Sequence, residues 1–327
     1  MHILITGAVG MIGRKLTARL AADGALAGRP VEQLTLLDVS VPRRPDTFAG
    51  RFDTVAGDLA DAKIARAAVV GRPEVIFHLA AIVSGEAELD FERGMRVNFD
   101  GSRALLEAIR AAGDGYQPRV VFSSSIAVFG APFPDAIPDD FFRTPLTSYG
   151  TQKAMIELLL ADYGRRGFVD GVGIRLPNIV VRPGKPNQAA SGFFSSIIRE
   201  PLSGAEAVLP VEESVRNWHA SPRAAVGFLL HGATLDGKEL GPRINLTMPG
   251  VCCTVAEQIA ALRRIAGDKV AARIRHAPDP LIARIVAGWP SRFDARRALA
   301  LGFKSEQSFD EIIRVHIEDE LDGRLPA

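Results

Sequence analysis

Cysteine is nearly missing from this chain: Cys252 and Cys253 are the only two in 327 residues. Adjacent cysteines make a poor staple, so a disulfide scaffold is excluded and a reducing setting is expected. Neither sign of charge dominates. Lysine plus arginine number 39 against 38 for aspartate plus glutamate, a formal net charge of +1. Without a basic field, neither nucleic acid nor an anionic membrane surface is an expected partner. No uninterrupted apolar run reaches membrane-spanning length. The first strand begins at residue two with no charged leader before it, so a cytoplasmic location is expected. Internal repeats and low-complexity tracts are missing too, and no metal site is expected. Tyrosine is scarce, with three in the chain, so the setting of each one matters.

What is present is alternation. Short apolar runs at 2–5, 34–37, 52–55, 74–79, 119–122 and 171–176 read as buried strands. Stretches with helical spacing at 14–20, 89–112 and 147–165 separate them. Strand–helix alternation predicts an α/β fold: a Rossmann-type, doubly wound parallel sheet with right-handed crossovers. Ligands on such sheets bind outside the carboxyl ends of the strands. After residue 176 the pattern breaks at the Pro- and Gly-rich stretch 182–188. Beyond it a helix is expected at 192–200, a strand at 217–220, and helices near Pro222, Thr254, Pro280 and Ser308. The expected division is a dinucleotide-binding domain over 1–181, with 217–246 returning to it. Residues 182–216 and 247–327 would form a smaller mixed α/β substrate-binding lobe on the C-terminal side.

Between the first strand and the first helix lies Thr6-Gly7-Ala8-Val9-Gly10-Met11-Ile12-Gly13. Its glycine spacing is G-x-x-G-x-x-G, and its position is that of a dinucleotide fingerprint. Gly7 would permit the tight turn, Gly10 the approach of a pyrophosphate, and Gly13 close packing of helix on strand. Backbone amides of Met11 and Ile12 at the helix start would face the phosphates. The second strand ends in Asp38, and an acid there suits ribose hydroxyls and repels a 2′-phosphate, favouring NAD over NADP. Residues 24–30 read as an inserted loop between the two. Arg43 and Arg44 lie nearby and would meet a 2′-phosphate or remain solvated loop residues.

Tyr149 and Lys153 stand four apart in Ser148-Tyr149-Gly150-Thr151-Gln152-Lys153. On a helix that spacing puts both on one face. A free phenol ionises near ~10 and is a poor base at neutral pH. Lowering it by about 2–3 units needs roughly 3–4 kcal/mol of preferential stabilisation of the anion. One cation at ~4 Å supplies about that much at an effective dielectric near 20. The pair therefore suffices for a general base near neutral pH. Upstream, Ser123-Ser124-Ser125-Ile126-Ala127-Val128-Phe129-Gly130 follows the fifth strand, where a serine can bond a reacting oxygen.

Taken together, residues 6–13, Asp38, Gly57-Asp58-Leu59, His78-Leu79-Ala80-Ala81, Asn98, Ser123 to Gly130, and Tyr149 with Lys153 resemble the extended short-chain dehydrogenase/reductases over essentially the whole chain. The resemblance implies NAD as cofactor, Tyr149 as general acid/base, Lys153 on the nicotinamide ribose, and Ser125 orienting the substrate oxygen. It also implies Asp58 and Leu59 bordering the adenine, Ala80 and Ala81 lining the cofactor cleft, and Asn98 ordering the helix near the site. His78 reads as a core residue. A homodimer is implied, through helices near Arg103 and Lys153.

Three branches of that family compete. Dehydratases usually carry Thr-Asp-Glu where this chain has Ser125-Ile126-Ala127, so dehydration is not expected. Nucleotide-sugar 4-epimerases share the catalytic set, and Arg216 matches an arginine they use for the diphosphate, although Asn217-Trp218 departs from their pattern. The stretches 175–187 and 191–202 are similar to D-erythronate dehydrogenases. This last resemblance implies oxidation of the C2 hydroxyl of a small sugar acid, D-erythronate to 2-dehydro-D-erythronate. For the carboxylate the candidates are Arg182, Lys185 and Arg216; for hydroxyls they are Ser84, Asn178, Asn187 and Ser191. A catalytically silent NAD-sensing or scaffold protein is the alternative of another class.

Overall fold

The apolar runs become the strands of one sheet. The structure, a computed structural model, describes residues 1–184 and 191–325. β1 (His2–Thr6), β2 (Gln33–Asp38), β3 (Arg51–Ala56), β4 (Val75–His78), β5 (Arg119–Ser125), β6 (Asp170–Leu176) and β7 (Asn245–Thr247) assemble in the order β7-β6-β5-β4-β1-β2-β3. The pairs β1–β2, β1–β4, β2–β3 and β4–β5 are parallel, with Ile3 beside both Leu34 and Val75. Ile3, Leu4 and Ile5 are fully buried. Burial on both faces is why the run shows no polar alternation. The sheet order reverses between β1 and β4, which is the switch point where a doubly wound sheet opens for a ligand.

Helices α1 (Met11–Asp23), α2 (Ala62–Val69), α3 (Gly101–Ala111) and α4 (Ser148–Arg165) accompany this sheet. Asp61 caps α2 through the Lys63 amide, and Thr147 caps α4 through the Gly150 amide. Leu105 and Ile109 of α3 and Ile156 and Leu160 of α4 share one core with Leu4, Ile76 and Val120. The sheet unit comprises residues 1–128, 147–175 and 226–246.

The expected long helix over 89–112 is a correction. The chain forms Ser84–Leu89, breaks at Asp90, resumes as Phe91–Gly94, and passes through a π-helical turn, Met95–Asp100, into α3. Asp90 breaks it because its side chain accepts the Arg93 amide, a local bond that competes with helix continuity. Two smaller differences concern 24–30, which holds a short antiparallel pair, Ala25–Leu26 with Arg29–Pro30, and the serines 123–125, which end β5 rather than follow it.

The second unit comprises 129–146, 176–225 and 247–327. Segments 129–146, 176–181 and 217–225 thus group here rather than with the first unit, where the sequence reading put them. A three-stranded sheet of Asn178–Ile179, Arg216–Ala220 and Val251–Thr254 is parallel in its first pair and antiparallel in its second. Helices α5 (Gly192–Leu202), α6 (Pro222–Thr234), α7 (Val255–Ala266), α8 (Pro280–Ala287) and α9 (Phe309–Glu320) account for every helix expected after residue 190, α6 falling mostly in the first unit and the other four in this one. Phe194, Ile197 and Ile198 of α5 pack with Leu262 of α7 and Ile312 and Ile313 of α9. A capping box of Thr254 and Glu257 starts α7.

His219 is fully buried in this second core. It lies edge-on to Phe194 and Phe309, with its Nε2 2.9 Å from the Gln258 amide nitrogen. Burial pushes its pKa from the usual 6.5 down to about 3. The unfolded chain takes up a proton on this ring near pH 6.5, and the folded chain resists until about pH 3. Its contribution to stability is therefore present above pH 6.5 and lost as pH falls toward 3. We expect the thermal midpoint to fall between about pH 6.5 and 4, and to fall less steeply in His219→Asn. Equal slopes in the two proteins would contradict the assignment.

Candidate active site

The glycine turn is built around two positions that reject a side chain. Gly7 has φ of +72°, and a Cβ there would sit 2.6 Å from the Ala80 nitrogen. A Cβ on Gly13 would stand 2.2 Å from the Gly7 carbonyl oxygen. Gly10 occupies the N-cap of α1, where no side chain caps the helix. The first-turn amides of Met11 and Ile12 have no intrahelical acceptor, which makes this helix end a cradle for an anion. Ala80, half-buried, and Ala81, exposed, follow β4 and bring only methyl groups to the same edge. Asp38 closes β2 and accepts the Val9 amide on Oδ2 at 2.9 Å, which fixes it against the turn.

Asp58 is more engaged than its motif suggests. Its Oδ1 accepts the Ala60 amide, and its Oδ2 accepts Nε of Arg96 at 2.7 Å. Leu59 beside it is buried. Arg96 was not singled out from the sequence. Arg44 donates to the carbonyls of Phe48 and Gly50, so it holds its own loop; Arg43 is exposed.

The Tyr149–Lys153 pair lies on α4. The Lys153 side chain is buried, donates from Nζ to the Ser123 carbonyl at 2.8 Å, and stands 5.6 Å from the Tyr149 ring centre and 4.7 Å from that of Phe122. Burial pushes the Lys153 pKa from 10.5 down to about 7, opposed by the negative charge of Glu157. The charge that helical spacing alone takes for granted is thus held against a desolvation cost.

The three serines of β5 have separate partners. Ser123 Oγ donates to the His78 carbonyl at 3.1 Å. Ser124 is buried and donates to Glu157 Oε1 at 2.6 Å. Ser125 is half-buried, and its Oγ accepts the Ala127 amide at 3.1 Å. His78 lies between the hydroxyls of Thr6 and Ser102, 2.8 Å from each, and burial with the Lys153 charge lowers its pKa to about 3. It is neutral at physiological pH and ties β1 to α3. Asn98, in the π-helical turn, accepts the Ile82 amide and donates to the Gln152 side chain at 2.7 Å.

Among the sugar-acid candidates, three converge. Arg182 donates from Nη2 to Asn178 Oδ1 at 2.9 Å and to Ser191 Oγ at 3.0 Å, and from Nε to the Ile179 carbonyl. Arg216 is exposed, with its guanidinium 4.0 Å from Cys252 Sγ. Ser84 opens the helix Ser84–Leu89 and is half-buried. Lys185 and Asn187 lie outside the described residues. Glu157, Arg175 and Gln152 were missed in the sequence. Only Glu157 had a local signal: it lies one turn beyond Lys153, on the same face.

A phosphate cradle at a sheet switch point beside a Tyr-x-x-x-Lys helix defines a dinucleotide-dependent enzyme of the short-chain dehydrogenase/reductase type. Residues 3–238 match the family described as "NAD dependent epimerase/dehydratase family", and the chain belongs to it. It is 51% identical to a D-erythronate dehydrogenase from Cupriavidus necator over 323 residues, 98% of both chains. It is 40% identical to a D-erythronate dehydrogenase from Haemophilus influenzae, over 97% of this chain and 99% of that one. A crystal structure described as the nucleoside-diphosphate-sugar epimerase from Agrobacterium tumefaciens is 64% identical, with a TM-score of 0.98 over 100% of this chain and 96% of that one.

The glycine cradle, the two alanines and Asp38 fit the family's cofactor, NAD. When bound, it supplies a hydride acceptor. We expect Asp38→Ala to narrow the preference for NAD over NADP by about tenfold, the scale of one lost charge-assisted hydrogen bond. A ratio of kcat/KM values that does not move would remove Asp38 from the ribose.

Proposed function

We propose that the protein is an NAD-dependent D-erythronate dehydrogenase that oxidises the C2 hydroxyl of D-erythronate to give 2-dehydro-D-erythronate. The observation that carries this reading is end-to-end similarity to two enzymes of that name, supported by Tyr149 and Lys153 near the start of α4 and Ser125 at the end of β5. Tyr149 takes the hydroxyl proton at Oη, and the Lys153 cation favours the phenolate that receives it. Ser125 Oγ orients the same substrate oxygen. Asn98 orders the helix ahead of the site. Asp58 and Leu59 border the adenine.

Arg182, held in place by Asn178 and Ser191, is the cation we assign to the carboxylate; a guanidinium matches that group in two hydrogen bonds. Ser84 is assigned to a sugar hydroxyl. A homodimer in the cytoplasm completes the reading.

The second reading is a nucleotide-sugar 4-epimerase, favoured by the description of the 64% identical structure. Incubation with D-erythronate and NAD separates the two. We expect stoichiometric NADH with the sugar acid and no conversion of UDP-galactose. Epimerisation without net NADH would overturn the dehydrogenase reading, and silence with both would favour a binding protein. Tyr149→Phe is expected to lower kcat by about 100- to 10,000-fold, the range lost when general base catalysis is removed, while NAD affinity is largely kept. Retained turnover would remove Tyr149 from the reaction.

A further inference from the structure

The buried polar groups beneath the catalytic set form a single chain of contacts. Glu157 is fully buried on α4, one turn past Lys153. Arg175 of β6, also buried, clasps it with two hydrogen bonds: Nε to Oε1 and Nη2 to Oε2, both 2.9 Å. Oε1 accepts a third bond, from Ser124 Oγ at 2.6 Å. Ser124 lies between Ser123, whose carbonyl receives Lys153 Nζ, and Ser125. One carboxylate therefore grips the strand between the residue that seats the lysine and the residue assigned to the substrate oxygen.

The charges are as informative as the contacts. Lys153, Glu157 and Arg175 are all nearly or fully buried. Without the carboxylate, two cations would share a low-dielectric interior, and the one with the labile proton would lose it. The other groups facing Lys153 are the Tyr149 phenol on its own helix, neutral His78 on β4, and the Ser123 carbonyl on β5. None of these is a standing negative charge. Glu157 is thus the counter-charge that opposes this loss and favours the ammonium. Burying this ion pair is a costly way to join a helix to a strand, and apolar side chains would serve as well.

We propose that Glu157, oriented by Arg175, is a positioning residue of the reaction: it keeps Lys153 cationic and, through Ser124, sets Ser125 in register with Tyr149. The proposal rests on the reading of Tyr149, Lys153 and Ser125 as the catalytic set. It assigns a role to three residues buried beneath that set.

The test measures kcat, KM for each substrate, thermal midpoint and the pH profile of kcat in Glu157→Gln, Ser124→Ala and Tyr149→Phe. Glu157→Gln keeps the volume and removes the charge. Lys153 then loses its proton more readily, Tyr149 ionises at higher pH, and the acid limb of the profile moves up by about one pH unit. Ser124→Ala leaves every charge in place and removes only the grip on β5. We expect kcat to fall about 10- to 100-fold, the scale of a small misplacement, with the acid limb unmoved and KM for NAD little changed. Glu157→Asp, which keeps the charge, is expected to restore the wild-type acid limb.

A purely structural role predicts lower thermal midpoints with wild-type kcat and pH profile, and that result would overturn the proposal. Should Glu157→Gln fail to fold, Ser124→Ala decides alone: wild-type kcat in that variant overturns it. Turnover in Tyr149→Phe would instead overturn the underlying catalytic assignment.

Discussion

A single buried amine governs this site. Lys153 has almost no contact with solvent, and burial pulls its pKa down to about 7. An ammonium in that position is useful because it is poorly solvated: its field acts on the neighbouring phenol through protein rather than water. It is costly for the same reason. The fold meets the cost with the Ser123 carbonyl on one side and the Glu157 carboxylate further along the helix. Strand β5, helix α4 and strand β6 are bound into one arrangement by that requirement.

The cofactor end of the sheet follows a different logic, that of steric exclusion. Gly7 and Gly13 leave no room for a Cβ, so the backbone of the turn comes up against β4 and presents amides instead of side chains. Asp38 holds the Val9 amide and so belongs to the turn as well as to the end of β2. The two ends of the proposed site thus use opposite devices: emptied space at the glycine turn, and a compensated buried charge beside the phenol proposed to take the proton.

Much of this was legible in the sequence because it depends on local pattern. Strands β1 and β4 are short runs buried on both sheet faces, which leaves no other pattern to confuse with them, whereas the edge strand β3 is only partly buried and carries Arg51, Asp53 and Thr54. Residue 149 and residue 153 share a face by helix geometry alone. The break at Asp90 was not legible, since helical spacing of apolar residues continues past it at Phe91, Met95 and Phe99. The π-helical turn places Asn98 against Ile82 and Gln152, contacts made only after folding. The three-residue strand β7 is too short to carry a period. Glu157 stood in view on the same helical face, but its meaning required Arg175, which arrives from β6. Sequence reasoning singled out the groups proposed to act and missed the groups that hold them, because the latter are defined by tertiary contact.

The most direct measurement is the titration of the Lys153 ε-amine, followed by the ¹³Cε shift of selectively labelled lysine in the ligand-free protein and assigned by Lys153→Arg. The account predicts a midpoint near 7, far below the ordinary 10.5, moving lower still when Glu157 is replaced by glutamine. A midpoint at the ordinary lysine value, or one indifferent to Glu157, would contradict it.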